Sequence, residues 1–157
     1  MNQNTPQTPH FTPFLQHRIT PEILQRAMGA LIGSAIGDAL GAPFEFGPAD
    51  QYSTQFPQPV LGGVGEMIGG GSFCWEPAEF TDDTQMTLAL AESLLACGGL
   101  DLDDLWARFV AWRAGATDVG IATSRALSAA NRHEAAMNDA ADPGRSASNG
   151  ALMRTWA

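Results

Sequence analysis

From Thr20 onward the apolar positions fall at helical spacing, and the punctuation between them divides the chain into helices joined by irregular segments. Thr20-Pro21-Glu22 predicts a helix start: a Thr cap, Pro at the first helical position and an acid in the first turn. That helix continues through Ile23, Ala27, Ala30, Leu31, Ser34 and Ala35 toward Asp38, and Gly29, Gly33, Gly37 and Gly41 leave one side of it bare. Each glycine costs up to ~1 kcal/mol of helix stability relative to alanine, so the pattern predicts a compensating close approach of another backbone. The Gly- and Pro-bearing stretch 41–48 ends the helix and places Glu45 on a short irregular segment between two phenylalanines.

Residues 49–80 have no convincing period and predict a long functional loop. A helix opening at Thr81 runs through Met86, Ala89, Leu90, Ser93, Leu94 and Cys97 to a stop at Gly98-Gly99. Asp101 starts the next, with Leu102, Leu105, Phe109 and Trp112 on one stripe. Its three early acids, Asp101, Asp103 and Asp104, read as helix-start charges, since the Gly and distal Glu of a calcium loop are missing. A turn follows at 115–120, then a helix over 121–131, and His133 reads as a surface histidine in a polar stretch. The small polar residues 142–150, ahead of an apolar 151–153, read either as an ordinary turn or as backbone N–H groups suited to an anion.

Composition narrows the functional classes. Hydrophobic residues make up 45% of the 157 and charged residues only 16%, which suits one domain of tightly packed helices. With 17 acids against 8 bases the net charge is −9, so a phosphate-backbone binder is not expected and no nucleic-acid partner is assigned. Two cysteines without metal-ligand spacing fit a reduced compartment. Residues 1–19, rich in Gln, Thr and Pro, read as a disordered tail lacking the features of a signal peptide. The small-apolar run 27–42 falls short of the ~20 residues that cross a bilayer, so no membrane partner and a cytoplasmic location are expected.

The densest chemistry lies at Thr81-Asp82-Asp83. The two carboxylates project about 100° apart on a helical wheel, and no Lys or Arg occurs between Arg26 and Arg108. One reading is a helix cap, with Asp82 and Gln85 forming a capping box at the positive end of the dipole. The other is a hard cation site, with the Thr81 hydroxyl as a third oxygen. Spacing alone leaves both open.

Four stretches, in order, resemble the ADP-ribosylglycohydrolase family: GALIGSAIGDALGAPFEF (29–46), FTDDTQM (80–86), DVGIAT (118–123) and SNGALMR (148–154). The resemblance implies an all-α fold over 20–157 and a cleft in which two Mg2+ or Mn2+ ions position the ribose of an ADP-ribosyl group. It implies that Thr81, Asp82 and Asp83 are metal ligands, and that Glu45 stands at the metal centre, tied to water activation or substrate gating. The catalytic set it implies is Glu45, Asp82 and Asp83. It puts Ser146, Ala147, Ser148, Asn149 and Gly150 around the ADP-ribose, with Gly120 as a nearby backbone contact; Ser148 stands where some members have glycine. The implied reaction is hydrolysis of the bond between ADP-ribose and a protein side chain or small acceptor. A non-catalytic ADP-ribose-binding module and a structural, crystallin-like use of the fold are the alternatives.

The family's second acidic metal-binding segment has no counterpart in 84–157. The sequence therefore reads as the N-terminal half of such a domain, silent in catalysis without its C-terminal half as partner. In that reading the faces around Leu90, Leu94, Phe109 and Trp112 need an opposite wall.

Overall fold

The computed structural model describes residues 19–141 and 148–155. The tail reading for residues 1–19 therefore lies outside the described residues, except at Ile19. Among the described residues there is no strand, only an isolated bridge between Gly70 and Trp75, and the fold is all-α as the sequence predicts. Six α-helices follow in order: α1 (Pro21–Gly41), α2 (Gln51–Gln55), α3 (Asp82–Cys97), α4 (Leu102–Arg113), α5 (Ile121–Ala126) and α6 (Arg132–Ala141). Short 3-10 turns lie at Ala42–Phe44 and Asn149–Ala151.

Helix starts match their local chemistry. The Thr20 hydroxyl accepts from the Ile23 N–H, and Asp101 accepts from the Asp103 and Asp104 N–H groups. Those two satisfy donors that a helix leaves orphaned in its first turn. Gly98, in the left-handed conformation at φ 67°, closes α3 where the sequence predicts. The core is the seam between α3 and α4. Met86 is fully buried there against Phe109 and Leu127, with Ala89, Leu105, Trp106, Trp112 and Met153 packed around them.

Several expectations are corrected. The helix predicted over 121–131 ends at Ala126, and a separate α6 begins at Arg132. Its start was readable: Asn131 accepts from the His133 and Glu134 N–H groups, while Glu134 reaches back to the Ala130 N–H. Leu90, Leu94 and Trp112 are partly covered and Phe109 is buried, so this face is not left open in the described residues. The exposed apolar face is on α1 instead, at Ile23, Leu24, Met28, Ile32 and Ile36. The glycine stripe of α1 meets no close backbone, since a methyl added at Gly29, Gly33, Gly37 or Gly41 would have no neighbour within 4 Å.

α1 is also longer than the apolar run counted from sequence. With the 3-10 turn that follows it, the helix runs over Pro21–Phe44, 24 residues containing an 18-residue window of mean hydropathy 1.3, enough to cross a bilayer by length and composition alone. The core helix of a globular protein meets the same criterion. α1 carries Asp38 near its C-terminal end, and that residue ties it to α3.

Candidate active site

Asp38 reaches from α1 to the first turn of α3. Its Oδ2 accepts from the Thr81 N–H (3.0 Å), the Thr84 N–H (3.1 Å) and the Thr84 hydroxyl (2.6 Å). Its Oδ1 accepts from the Thr81 hydroxyl at 2.8 Å. Thr81 is the N-cap residue of α3, yet its side chain makes no capping bond. The cap is supplied across the helix pair by Asp38.

This arrangement bears on the capping reading of Asp82 and Gln85. Gln85 makes no capping box. The Gln85 amide donates to the Phe80 carbonyl and accepts from the Trp112 indole.

Around Asp82 and Asp83 the fold gathers further acids. Asp83 and Glu45 line one side of a pocket of about 490 Å³ with Asp38, Thr81, Ser34, Gly37 and Gly41. At Gly37 and Gly41 the bare glycine side of α1 is thus a pocket wall. Asp118, just before α5, is close enough to act on Glu45, Asp82 and Asp83. The carboxyl of Asp82 is pushed up to about 6, by burial first and then by Asp118 and Asp83, while the Gly120 backbone N–H pulls it back. Asp83 is raised by burial, Asp38 and Asp118. Glu45 is raised by burial and by Asp118, Asp83 and Asp38, and Asp118 is raised by burial and Asp38. Mutual repulsion of this kind is what a bound cation relieves.

The loop between α2 and α3 is braced beside Glu45. Phe44 stacks edge-on against Tyr52 and Phe56. Glu66 accepts from the Tyr52 hydroxyl and from the Val60 N–H. Gly71, at φ +70°, sits so close to Pro43 that an added methyl would lie 2.8 Å from its backbone.

The sequence-predicted site residues divide as follows. Thr81, Asp82, Asp83 and Glu45 come together, and Gly120 faces Asp82. Ser148, Asn149 and Gly150 are brought beside α5, where Gly150 approaches the Thr123 hydroxyl. There Ser148 and Gly150 line a second, more apolar groove of about 440 Å³ between α4, α5 and α6. Ser146 and Ala147 lie outside the described residues. From Asn149 to Thr155 the described chain makes one 3-10 turn and further turns. Arg154 bends back over the Phe109 ring, 4.9 Å from its centroid, near enough to Asp82 to feel its charge.

Sequence reasoning missed two functional candidates, Asp38 and Asp118. The signal for Asp38 was an acid inside a run of small apolar residues. Asp118 stood within a family-like stretch without a role.

The donor set suits a hard divalent cation: carboxylates and a hydroxyl oxygen, with no thiolate or imidazole among them. Among the described residues, no three His, Cys, Asp or Glu side chains lie close enough together to hold a metal ion by themselves. A cation here would complete its shell with the Thr81 hydroxyl, water and groups from elsewhere.

Comparison with known proteins identifies the family. The sequence model of the ADP-ribosylglycohydrolase family matches residues 19–157. An ADP-ribosylarginine hydrolase, Tri1, of Serratia proteamaculans is 38% identical over 141 residues, 85% of this chain and 36% of that protein. The ADP-ribosyl-[dinitrogen reductase] glycohydrolase of Rhodospirillum rubrum is 38% identical over 135 residues, 85% of this chain and 44% of that protein. A solved ADP-ribosylglycohydrolase-related protein complex superposes with a TM-score of 0.56 at 36% identity, covering 83% of this chain and 40% of that one. The chain thus spans about two fifths of the length of the curated relatives it matches, and it belongs to the ADP-ribosylglycohydrolase family.

Proposed function

We propose that this chain carries part of the active site of a divalent-metal-dependent hydrolase that cleaves the glycosidic bond between ADP-ribose and a protein side chain. The observation that carries the reading is the gathering of Glu45, Asp82, Asp83 and Asp118 around the α1–α3 junction, with Asp38 diverted to capping. An arginine linkage is the first substrate to test, because one relative is named for it.

Thr81, Asp82 and Asp83, with Glu45 at the edge, are the residues that would hold Mg2+ or Mn2+, two ions in the fullest form of the reading. Bound there, the metal would supply positive charge that orients ribose hydroxyls and lowers the pKa of water. The chain's own residues do the rest. Glu45 is exposed at the mouth of the pocket, on a segment braced by Phe44 and Gly71, so it can meet a water molecule entering from solvent. There its carboxylate is placed to take a proton as the water attacks the anomeric carbon. The carboxylates behind it favour the positive charge that builds on the ribose ring as the bond breaks. Ser148, Asn149 and Gly150, with Ser146 and Ala147, form the segment we assign to the ADP-ribose, and Gly120 a backbone contact.

Hard cations take six or more oxygens, and the described cluster supplies few. The reading therefore includes a second acidic segment completing the site from outside the described residues, and a cytoplasmic setting in which modified proteins are reached. The test is release of ADP-ribose from an ADP-ribosylated arginine peptide by the intact protein. Activity with Mg2+ or Mn2+ that is lost with EDTA and in Asp83→Ala supports it. Turnover that persists in EDTA, or in Asp83→Ala, refutes it.

A further inference from the structure

The Asp38 carboxylate is a pure acceptor, so every hydrogen in its four contacts comes from Thr81 or Thr84. A threonine hydroxyl has one hydrogen and two lone pairs. At Thr81 that hydrogen is committed to Asp38 Oδ1 at 2.8 Å, in preference to Asp82 Oδ1 at 3.5 Å. Thr81 is buried, lines the acidic pocket and contributes nothing to the cap of its own helix. Its free lone pairs are what it has left to offer a ligand.

We propose that Asp38 is a positioning residue for the site: it draws the Thr81 hydroxyl hydrogen away from the pocket and so presents the bare Thr81 oxygen to a hard divalent cation. This rests on the cation reading above and adds to it a residue that acts through Thr81. The same carboxylate caps α3, so one residue fixes both the position of the helix end and the polarity of a ligand on it. Thr84, which shares Oδ2 with the two backbone donors, belongs to the capping half of that task alone.

Asp38→Asn separates the two halves. With its oxygen at the Oδ2 position, asparagine keeps acceptance from the Thr81 N–H, the Thr84 N–H and the Thr84 hydroxyl. Its NH2 then falls at the Oδ1 position and donates to Thr81, which turns the hydroxyl hydrogen toward the pocket. The substitution also removes a negative charge, which by itself would weaken cation binding, so the experiment is a double-mutant cycle with Thr81→Val.

Mn2+ affinity of the intact protein, read from the spin-resonance signal of free Mn2+ without substrate, is measured for wild type, both single variants and the double variant. Loss of outer contacts to a metal ligand typically costs about 10–100-fold in affinity, and that is the expected loss in Asp38→Asn. In the Thr81→Val background the same substitution should cost less than about threefold, because the residue it acts through is gone. Thr81→Ser should bind Mn2+ close to wild type. Thr84→Val should lower the melting temperature and leave affinity nearly unchanged.

An equal loss on both backgrounds would mean that Asp38 contributes only charge, and the proposal falls. It falls equally if Asp38→Asn binds like wild type, or if affinity merely tracks melting temperature across the set. Should Asp38→Asn not fold, Thr81→Val against Thr81→Ser still decides whether the hydroxyl oxygen is used, and equal binding by the two overturns the proposal. Wild-type protein that binds no Mn2+ sinks the cation reading itself, a separate result.

Discussion

Asp82→Asn should stabilise the metal-free protein at neutral pH. Asp82 lies in the first turn of α3, buried, with its carboxyl raised from 3.8 to about 6 by burial and by Asp118 and Asp83. An acid whose pKa is higher folded than unfolded binds more protons in the folded state. Stability therefore falls as pH rises between those two values, and the full cost persists above the higher one. A shift of about two units corresponds to ~3 kcal/mol at 1.36 kcal/mol per unit. Solvent screening in an open pocket reduces this to about 1–2 kcal/mol. For a domain of this size that is a rise in melting temperature of about 3–6 °C. The assay is thermal unfolding of wild type and Asp82→Asn in EDTA at pH 7.5 and at pH 4. The gain should be present at the first and nearly absent at the second. With saturating Mg2+ the order should reverse, because ligand binding stabilises only the protein that can bind. A variant that melts lower than wild type at pH 7.5 in EDTA would refute the argument. It would show that Asp82 is held favourably, as a cap or by a cation such as Arg154.

Glu45→Gln should lower turnover by about 10²-fold or more while ADP-ribose affinity measured by calorimetry changes little, as for loss of a general base. In EDTA, the Glu45 carboxyl followed by NMR should titrate above the ordinary glutamate range, because burial and Asp118, Asp83 and Asp38 raise it. Gly71→Ala should cost about 1–3 kcal/mol in denaturant unfolding, since the position combines φ +70° with a 2.8 Å approach to Pro43. Phe109→Ala should cost about 3–5 kcal/mol, emptying the core beside Met86 and removing the ring under Arg154.

The helix ends were the most legible part of the sequence. Thr20-Pro21, the Asp101 cap and the Gly98 stop are local devices, and each acts within a few residues of itself. The Thr81-Asp82-Asp83 cluster was visible as chemistry, but not as cap or ligand. The capping task fell to Asp38, 43 residues earlier. The glycine stripe of α1 was legible as a bare surface and misread in purpose, because spacing reports that a side is bare and not what faces it. α6 was lost because its sequence is polar on several sides, so that Asn131 and Glu134 carried the only clear signal.

The cap that Asp38 lends to α3 has a consequence for the order in which the molecule assembles. A helix with its own N-cap can begin locally; the first-turn donors of α3 meet their native partner only when α1 arrives. The carboxylates of that turn therefore take up their arrangement only in a chain whose two distant helices have met. Closing so long a loop costs entropy, which the contacts between the two helices must offset. A nascent or partly unfolded chain would show Asp82 and Asp83 as ordinary solvated acids with normal titration. Their electrostatic conflict arises as the native contacts form, and the site comes into being together with the fold that holds it.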